Sequence, residues 1–309
     1  MKKILSLLFI VSLLTACGEK SADNHLTVLA DSLDVRIAIT PTIDCLPLCL
    51  ASDHGMFQRA GIQVALTTFT AQMDCDTAFV GGSVAAMATD LVRLERLRRQ
   101  QVPFEMLTAT DAEWILYTSR NSRIRQLRQL DDHTLAMTRY SATDMLAELM
   151  MDSVKLAEDR VFRIQINDVT IRQNMMQNSL VDGALMMEPQ ATAVHNFKAH
   201  LMFNVSERFN LKLGAIAARQ GSLSEKQKQA FAKAYNEACD SLNERGLQAY
   251  QDVVINRLMV TSPATLDSLM AKKFVFTHVA QPRQTDLERV KDWFNKKMEK
   301  ENVEKQPIQ

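Results

Sequence analysis

Acidic side chains follow several of the strands that the sequence predicts. Asp44, Asp74 and Asp90 each come shortly after a strand in the first part of the chain, and Glu188 ends a strand in the second part. Ligands of open α/β sheets bind outside the carboxyl ends of the strands, so we expect these carboxylates to line one cleft. Because carboxylates accept hydrogen bonds and attract cations, the pattern favours a solute that carries an amine or other donors.

Three of these acids also have an ordinary structural interpretation. Asp74 stands where the N-cap of a short helix ending at Val80 is expected, and Asp is a common capping residue. Asp90 and Glu188 are also explained by hydrogen bonds within a loop or by exposure at the surface. The residues alone leave both interpretations open.

A second group of polar residues stands just before a helix predicted in the middle of the chain. Ser141 and Thr143 offer hydroxyl groups there, the helix start offers free backbone N–H groups, and Arg139 offers a positive charge. Together these groups suit a carboxylate or a phosphate. Tyr140 and Trp114 are candidates to stack on a planar ring, with core packing or surface exposure as the alternative for each.

The signs of these charges bear on the ligand. Helix N-termini favour anions, and an anion-binding cleft is expected to add Arg or Lys and to avoid carboxylates. The acids of the first part therefore favour a neutral heterocycle or an amine-bearing solute, whereas the basic loop favours an anionic group. A zwitterion satisfies both halves, and simple sulfonates and nitrate are expected not to bind.

Three cysteines lie close to the predicted acids. Cys45 and Cys49 are four residues apart on an expected helix, and Cys75 lies between two aspartates on a neighbouring loop. These thiols are interpreted as buried small hydrophobic groups, as a disulfide of Cys75 with one of the other two, or as a soft-metal site for zinc or copper. Cys239 is assigned to packing in a helix. We assign no metal or cofactor.

Motifs of the common catalytic sites are missing from the sequence. No Gly-x-Ser-x-Gly, Walker loop, His-Glu-x-x-His or Gly-x-Gly-x-x-Gly segment occurs. No nucleophile has a matching base. A binding protein is therefore expected rather than an enzyme.

The order of predicted elements indicates an α/β protein with two units. Strands alternate with single helices from residue 35 to about 109, which is typical of βαβ units and a mostly parallel sheet. The same rhythm restarts near residue 114, and beyond residue 218 the pattern is almost entirely helical. A second α/β unit inserted into the first explains this order better than one continuous sheet.

Composition excludes several classes of protein. The chain has 309 residues, 47% of them hydrophobic, and its 36 basic residues are balanced by 36 acidic ones. A chain without net charge is a poor general binder of nucleic acid, which needs a basic surface. With 9 Gly and 7 Pro and no low-complexity tract, a fibrous or mainly disordered chain is also excluded.

The N-terminal segment predicts export and lipidation. A short basic start and an apolar run at 4–14 predict a signal peptide over 1–16, because the run is too short to span a bilayer. Leu-Thr-Ala before Cys17 is similar to the bacterial lipobox, in which the cysteine is lipidated. Residues 17–33 are then a tether, and the protein is expected outside the cytoplasm as a membrane-anchored monomer.

Several segments together resemble one family, the solute-binding proteins of ABC importers. The resemblance is to the branch that includes nitrate, sulfonate, taurine and thiamin-precursor binders, and it covers about residues 34–260. The matching segments follow the order of that family and comprise residues 35–44, 46–51, 55–64, 82–90, 127–138 and 181–189. One departure is Met-Asp-Cys-Asp at 73–76, where many relatives carry small Ser or Gly residues.

The resemblance implies a two-lobed, type II periplasmic-binding-protein-like fold. Each lobe is expected to be a mostly parallel sheet with flanking helices, and the lobes close over a small solute. The boundaries implied are 34–118 and 212–309 for the first lobe and 119–211 for the second, with crossovers near 111–122 and 206–216.

The function expected from the resemblance is capture of a small organic solute for import. The partners are then the solute and an ABC permease in the inner membrane. The candidate ligand-binding residues are Asp44, Cys45, Asp74, Cys75, Asp90, Trp114, Tyr140, Ser141, Thr143 and Glu188. The alternatives are a lipoprotein that reports a ligand to a signalling receptor, an enzyme similar to thiamin-precursor synthases, and a soft-metal binder that uses Cys45, Cys49 and Cys75.

Overall fold

The computed structural model describes residues 35–304 of the chain. The signal peptide predicted at 1–16, the tether predicted at 17–33 and the lipidation site Cys17 lie outside the described residues. None of the helices within the described range is long and apolar enough to cross a bilayer.

The elements alternate between strand and helix in the first two thirds of the chain. The strands are β1 (Val35–Ile39), β2 (Val64–Thr68), β3 (Ala86–Asp90), β4 (Phe104–Ala109), β5 (Ile115–Thr118), β6 (His133–Met137), β7 (Val161–Gln165), β8 (Gly183–Met186), β9 (His200–Asn204) and β10 (Gly214–Arg219). The helices are α1 (Leu46–Asp53), α2 (Met56–Ala60), α3 (Gln72–Val80), α4 (Leu91–Arg99), α5 (Ala142–Ser153), α6 (Val169–Gln177), α7 (Gln190–Asn196), α8 (Val205–Arg208), α9 (Glu225–Arg245), α10 (Gln251–Arg257), α11 (Pro263–Met270) and α12 (Gln284–Glu304).

The first sheet has the strand order β2-β1-β3-β10-β4. Strand β10 is antiparallel to both its neighbours, and the other four strands run in one direction. Successive side chains of a strand point to opposite faces. Ile37 and Ile39 accordingly pack into a cluster with α1 and α9, whereas Ala38 packs into a second cluster with α3 and α4. The sheet is therefore buried on both faces, as its short apolar strands require.

The second sheet has the strand order β7-β6-β8-β5-β9. Strands β6, β7 and β8 are parallel, and β5 runs antiparallel between β8 and β9. Four of the five strands in each sheet therefore share a direction, which confirms the expected α/β fold with two lobes, each a mostly parallel sheet.

The chain crosses between the lobes at 110–114 and 205–213, within or close to both predicted crossovers. The two crossings lie side by side, because the N–H of Val205 donates to the carbonyl of Trp114 at 2.9 Å and the N–H of Trp114 donates to Ser206 Oγ at 3.0 Å. The predicted boundary after residue 118 differs from the structure, since β5 pairs with β8 and β9 of the second sheet. A strand that is antiparallel in its sheet carries no local signal of which sheet it joins.

Direct backbone hydrogen bonds join the lobes on two sides of the cleft. The N–H of Ile43 donates to the carbonyl of Glu188 at 2.8 Å, and the N–H of Val169 donates to the carbonyl of Thr70 at 2.9 Å. Such bonds require the two edges to be in contact, so the cleft is closed in this structure.

Gly214 starts β10 at the point where the second crossing enters the first sheet. A Cβ there lies 2.1 Å from Thr110 Oγ1 and 2.5 Å from Ala112 Cβ, whereas a Cβ on Gly183 meets the flexible end of Leu135 at 3.2 Å. We expect Gly214→Ala to lower the free energy of unfolding by about 3 kcal/mol and Gly183→Ala by about 1 kcal/mol. Urea denaturation of both variants measures this, and equal losses contradict the crowding at the crossing.

Candidate functional site

A cavity of about 60 Å³ lies between the two lobes. Its volume suits a few water molecules or a solute of a few heavy atoms. The polar side chains that line it come from both lobes and are Thr40, Thr42, Gln72, Asp90, Arg93, Thr138, Ser141, Thr143, Asn167, Arg172 and Gln190. The apolar side chains at the cavity are Trp114, Val169, Leu185, Met186 and Met187. The cavity therefore combines hydrogen-bonding groups with an apolar wall, as small-molecule sites do.

Arg93 reaches this cavity from the first turn of α4. Its side chain is 1% exposed, it forms an ion pair with Asp76, and its Nε lies 3.4 Å from Asp90 Oδ2. Nε nevertheless has no hydrogen-bond partner among the described residues. The guanidinium is therefore held mainly by its ion pairs with two carboxylates of the same lobe.

Arg172 reaches the cavity from α6 in the second lobe. Its guanidinium donates to Thr138 Oγ1 at 2.8 Å, to the carbonyl of Leu185 at 3.1 Å and to the carbonyl of Ile166. Within residues 35–304 it forms no ion pair with a carboxylate. Burial and the charge of Arg93 lower the pKa of Arg172 to about 10, so it remains charged at neutral pH. An anionic group in the cavity would give this buried cation its missing counter-charge.

Asp90 is the predicted acid that lines the cavity. It is the N-cap of α4, because its Oδ1 accepts the N–H of Arg93 at 2.9 Å. The backbone N–H of Ala142 approaches the same carboxylate from the second lobe. Burial raises the pKa of Asp90 to about 6, and the charge of Arg93 opposes that rise. Asp90 therefore offers an acceptor to a ligand while it touches both lobes.

Ser141 and Thr143 line the cavity at the start of α5, as the sequence predicts. Ser141 is the N-cap, accepting the N–H of Thr143 and donating to the carbonyl of Thr138 at 2.7 Å. Thr143 Oγ1 accepts the N–H of Thr138 at 2.9 Å. Trp114, which is 6% exposed, forms part of the apolar wall. These three candidates and Asp90 therefore share one site.

Asp44 is buried beside the cavity but does not line it. Its carboxylate accepts hydrogen bonds from the hydroxyl of Thr42 at 2.7 Å and from the hydroxyl of Thr110 at 3.0 Å. Burial raises the pKa of Asp44, and these two hydrogen bonds oppose the rise. The carboxylate connects the segment after β1 to the first crossing, and Thr42 is itself one of the residues that line the cavity.

Glu188 is also engaged elsewhere. One carboxylate oxygen accepts the N–H of Thr192 at 2.9 Å and its hydroxyl at 2.7 Å, while the other accepts Lys272 Nζ at 2.5 Å. The neighbouring residues Met187 and Gln190 line the cavity in its place. Gln190 Oε1 has no hydrogen-bond partner within the described part of the chain.

Asp74 and Tyr140 lie away from the cavity. Asp74 is exposed in the first turn of α3, whose N-cap is Ala71, so Asp74 is not the cap either. The hydroxyl of Tyr140 donates to Glu301 at 2.6 Å, and its ring stacks on Phe294 with 5.8 Å between centroids. Burial and Glu301 raise the pKa of Tyr140 to about 12. Neither residue lines the cavity, and Arg139 is exposed.

The cysteines are free, buried thiols in two different places. Cys45 and Cys49 pack on the face of the first sheet that carries Ile37, whereas Cys75 packs on the opposite face with Ala38. Burial raises the pKa of Cys75 to about 12 and that of Cys45 well above its usual range. The sheet separates the thiols, so the metal site and the disulfide between Cys75 and either partner are wrong.

Comparison with solved structures identifies the architecture. No family model and no curated protein matches the chain. The ligand-binding component of an ABC-type import system from Staphylococcus aureus, solved with zinc bound, matches with a TM-score of 0.71 and 12% identity over 85% of this chain and 91% of that one. The periplasmic aliphatic sulphonate binding protein of Escherichia coli matches with a TM-score of 0.69 and 14% identity over 86% and 88%. The chain has the fold of periplasmic solute-binding proteins.

A third structure of this fold agrees with that assignment. The periplasmic nitrate-binding protein of Synechocystis PCC 6803 matches with a TM-score of 0.66 and 12% identity over 80% of this chain and 74% of that one. The two-lobed fold that the resemblance implied is thereby confirmed.

The cavity of this periplasmic-binding-protein fold differs from the acidic cleft that the sequence predicts. Of the four predicted acids, Asp90 alone lines it, and two buried arginines stand there as well. The argument that acids exclude anions therefore loses most of its support. The cavity is lined by two basic side chains, Arg93 and Arg172, and by one acidic side chain, Asp90.

The two arginines are the charged residues of the cavity that sequence reasoning missed. The sequence predicts only a basic helix around Arg93 and a Met- and Gln-rich helix around Arg172, without a binding role for either residue. A signal did exist for Arg93, because it stands in the first turn after a strand with Leu91, Val92 and Leu94 around it. An arginine among apolar residues at the carboxyl end of a strand points into the cleft.

Asp90 predicts a specific pH dependence of stability. Its pKa of about 6 in the folded protein lies above the ordinary value of 3.8, so folding disfavours the ionised form. Relative to Asp90→Asn, the wild-type chain is expected to lose on the order of 3 kcal/mol as pH rises from about 4 to about 6, and little beyond. Denaturant unfolding at several pH values measures the difference. Asp74→Asn, at an exposed site, serves as the control, and a difference independent of pH for Asp90→Asn contradicts the burial of this carboxyl.

Proposed function

We propose that the protein is a lipid-anchored solute-binding protein of an ABC importer. It captures a small organic solute between its lobes and delivers it to a permease in the inner membrane. One observation supports the proposal above the others: polar residues of both lobes line one cavity, and Arg93 Nε and Gln190 Oε1 have no hydrogen-bond partner within residues 35–304. Buried polar groups without partners are uncommon unless a ligand or water satisfies them.

The proposed mechanism is binding followed by closure. A solute enters between open lobes, and closure brings Arg93 and Asp90 of the first lobe toward Arg172 and Ser141 of the second. Closure excludes water, and the lower dielectric strengthens each polar contact with the solute. No bond is made or broken, and the affinity comes from groups held in position by the two sheets.

The charges favour a zwitterionic solute with a compact anionic group. Arg172 has only neutral partners, so it is the group best suited to hold a carboxylate or sulfonate. Asp90 and Gln190 offer acceptors, which suit an ammonium or another donor on the same molecule. A simple acceptor such as nitrate leaves these oxygens without a donor and is expected to bind more weakly.

The N-terminal segment and the solved structures with this fold support the proposed cellular setting. The signal peptide predicted at 1–16 and the lipidation predicted at Cys17 support a location outside the cytoplasm, on a membrane. The solved structures with this fold include import components and binders of sulphonate and nitrate. A permease is therefore the proposed partner, and nothing in the described cleft resembles a catalytic centre.

Two probes that differ in one ammonium group test the proposed ligand class. Taurine and ethanesulfonate share a sulfonate, and only taurine also offers a donor to Asp90. With the chain carrying Cys17→Ser, we expect taurine to raise the melting temperature and ethanesulfonate to raise it less, since a ligand stabilises the state that it binds.

Variants of the same experiment identify the site. Arg172→Gln is expected to weaken taurine binding at least tenfold, as measured by calorimetric titration, and Asp74→Asn is expected to leave it unchanged. A wider screen of amino acids, amines and aminopyrimidines uses the same two variants. If no probe stabilises the protein, or if Arg172→Gln binds as well as the parent, the proposed site is wrong.

A further inference from the structure

The C-terminal helix α12 packs on the first lobe along one side. Val290 and Phe294 are buried against α4. Asn295 Oδ1 accepts a hydrogen bond from the guanidinium of Arg99 at 2.5 Å. The same guanidinium lies over the ring of Phe294, 4.7 Å from its centroid. This side of α12 therefore belongs to the apolar and polar surface of α4.

The other side of α12 binds a buried carboxylate of the second lobe. Glu148 on α5 accepts Trp293 Nε1 at 2.6 Å and Lys297 Nζ at 2.5 Å. Lys297 also lies 3.1 Å from Asp144 Oδ2, and the side chains of Asp144, Glu148 and Lys297 are 0%, 9% and 7% exposed. Removing one member of such a buried network leaves an uncompensated charge, which is strongly destabilising.

Further contacts extend the attachment along the last turns of α12. Lys300 Nζ lies 2.5 Å from Glu158 Oε1, and Glu301 accepts the hydroxyl of Tyr140 at 2.6 Å. Tyr140 and Glu158 both belong to the second lobe. Four residues on one face of α12 thus bind the second lobe, to which α12 is not connected in sequence. They are Trp293, Lys297, Lys300 and Glu301.

The attachment reaches the wall of the cavity. Asp144 Oδ2 accepts the backbone N–H of Tyr140 at 2.8 Å, and Tyr140 directly precedes the cavity residue Ser141. Lys297 therefore pairs with the carboxylate that holds the loop at the start of α5. Arg163 binds Asp144 and Glu148 from β7, but it belongs to the second lobe and adds no link between lobes.

We propose that α12 is an interlobe strap, in which Trp293 and Lys297 are positioning residues that stabilise the closed arrangement of the two lobes. The strap acts on the side of the cleft where α4 and α5 approach each other. Separation of the lobes must release either the buried Lys297–Glu148 pair or the packing of α12 on α4. The strap therefore sets how readily the cleft opens, and it does so without contact with the solute.

Amide hydrogen exchange tests the strap without any ligand. The N–H groups of Ile43 and Val169 report lobe contact, because both donate to carbonyls of the opposite lobe, whereas the N–H of Ala136 lies inside β6. We expect Lys297→Met to raise exchange at Ile43 and Val169 at least tenfold and to leave Ala136 protected. Lys296→Met, which alters an exposed neighbour on the same helix, is expected to change none of the three.

A second variant guards against a general loss of stability. Trp293→Phe keeps an aromatic ring in the cluster and removes the hydrogen bond to Glu148. It is expected to raise exchange at Ile43 and Val169 as well, and small-angle scattering of both variants is expected to show a larger radius of gyration. The proposal is overturned if Lys297→Met and Trp293→Phe expose only amides of α5, or if exchange at Ile43 and Val169 stays as slow as in the parent. Because no solute enters the measurement, its failure is distinct from failure of the proposed transport function.

Discussion

Two buried guanidinium groups impose the main constraint on this structure. Arg93 and Arg172 are 1% and 6% exposed, so neighbouring groups that accept hydrogen bonds or carry negative charge must replace most of their hydration. Asp76 and Asp90 pair with Arg93, and the carbonyls of Leu185 and Ile166 accept hydrogen bonds from Arg172. The proposed solute, which combines an anionic group with a donor, would supply the partners that these buried groups lack.

The closed arrangement depends on contacts distributed around the cleft. Backbone hydrogen bonds of Ile43 and Val169 join the lobes at two places, and α12 joins them at a third through Glu148. These contacts differ in character, because the first two are neutral and the third is charged and buried. A hinged protein needs contacts that are strong enough to hold a solute and weak enough to release it.

The pattern of apolar residues determined most of the fold. Alternation in β1 assigns Ile37 and Ile39 to one face and Ala38 to the other, and the structure agrees. The cap Ser141 was also readable, since a serine before a helical pattern has a local physical role. Asp74 misled for the same reason, because a local rule assigned it a cap that Ala71 occupies.

The partners of the buried polar groups were beyond local rules. Asp44 meets Thr110, Glu188 meets Lys272, and Tyr140 meets Glu301, all of them distant in sequence. Each of these carboxylates or hydroxyls forms a hydrogen bond or ion pair with a residue that comes near only in the folded chain. It is therefore not free to bind a ligand.

The sequence by itself determined the α/β class, the two units and the general position of the cleft, because hydrophobic periodicity and strand ends are local properties. Tertiary structure alone decided which charged residues line the cleft and which sheet β5 joins. It also decided that α12 contacts the second lobe. The physical reason is that the partner of a charged group is often far away in sequence. Local sequence patterns therefore do not show whether that group is paired in the folded protein.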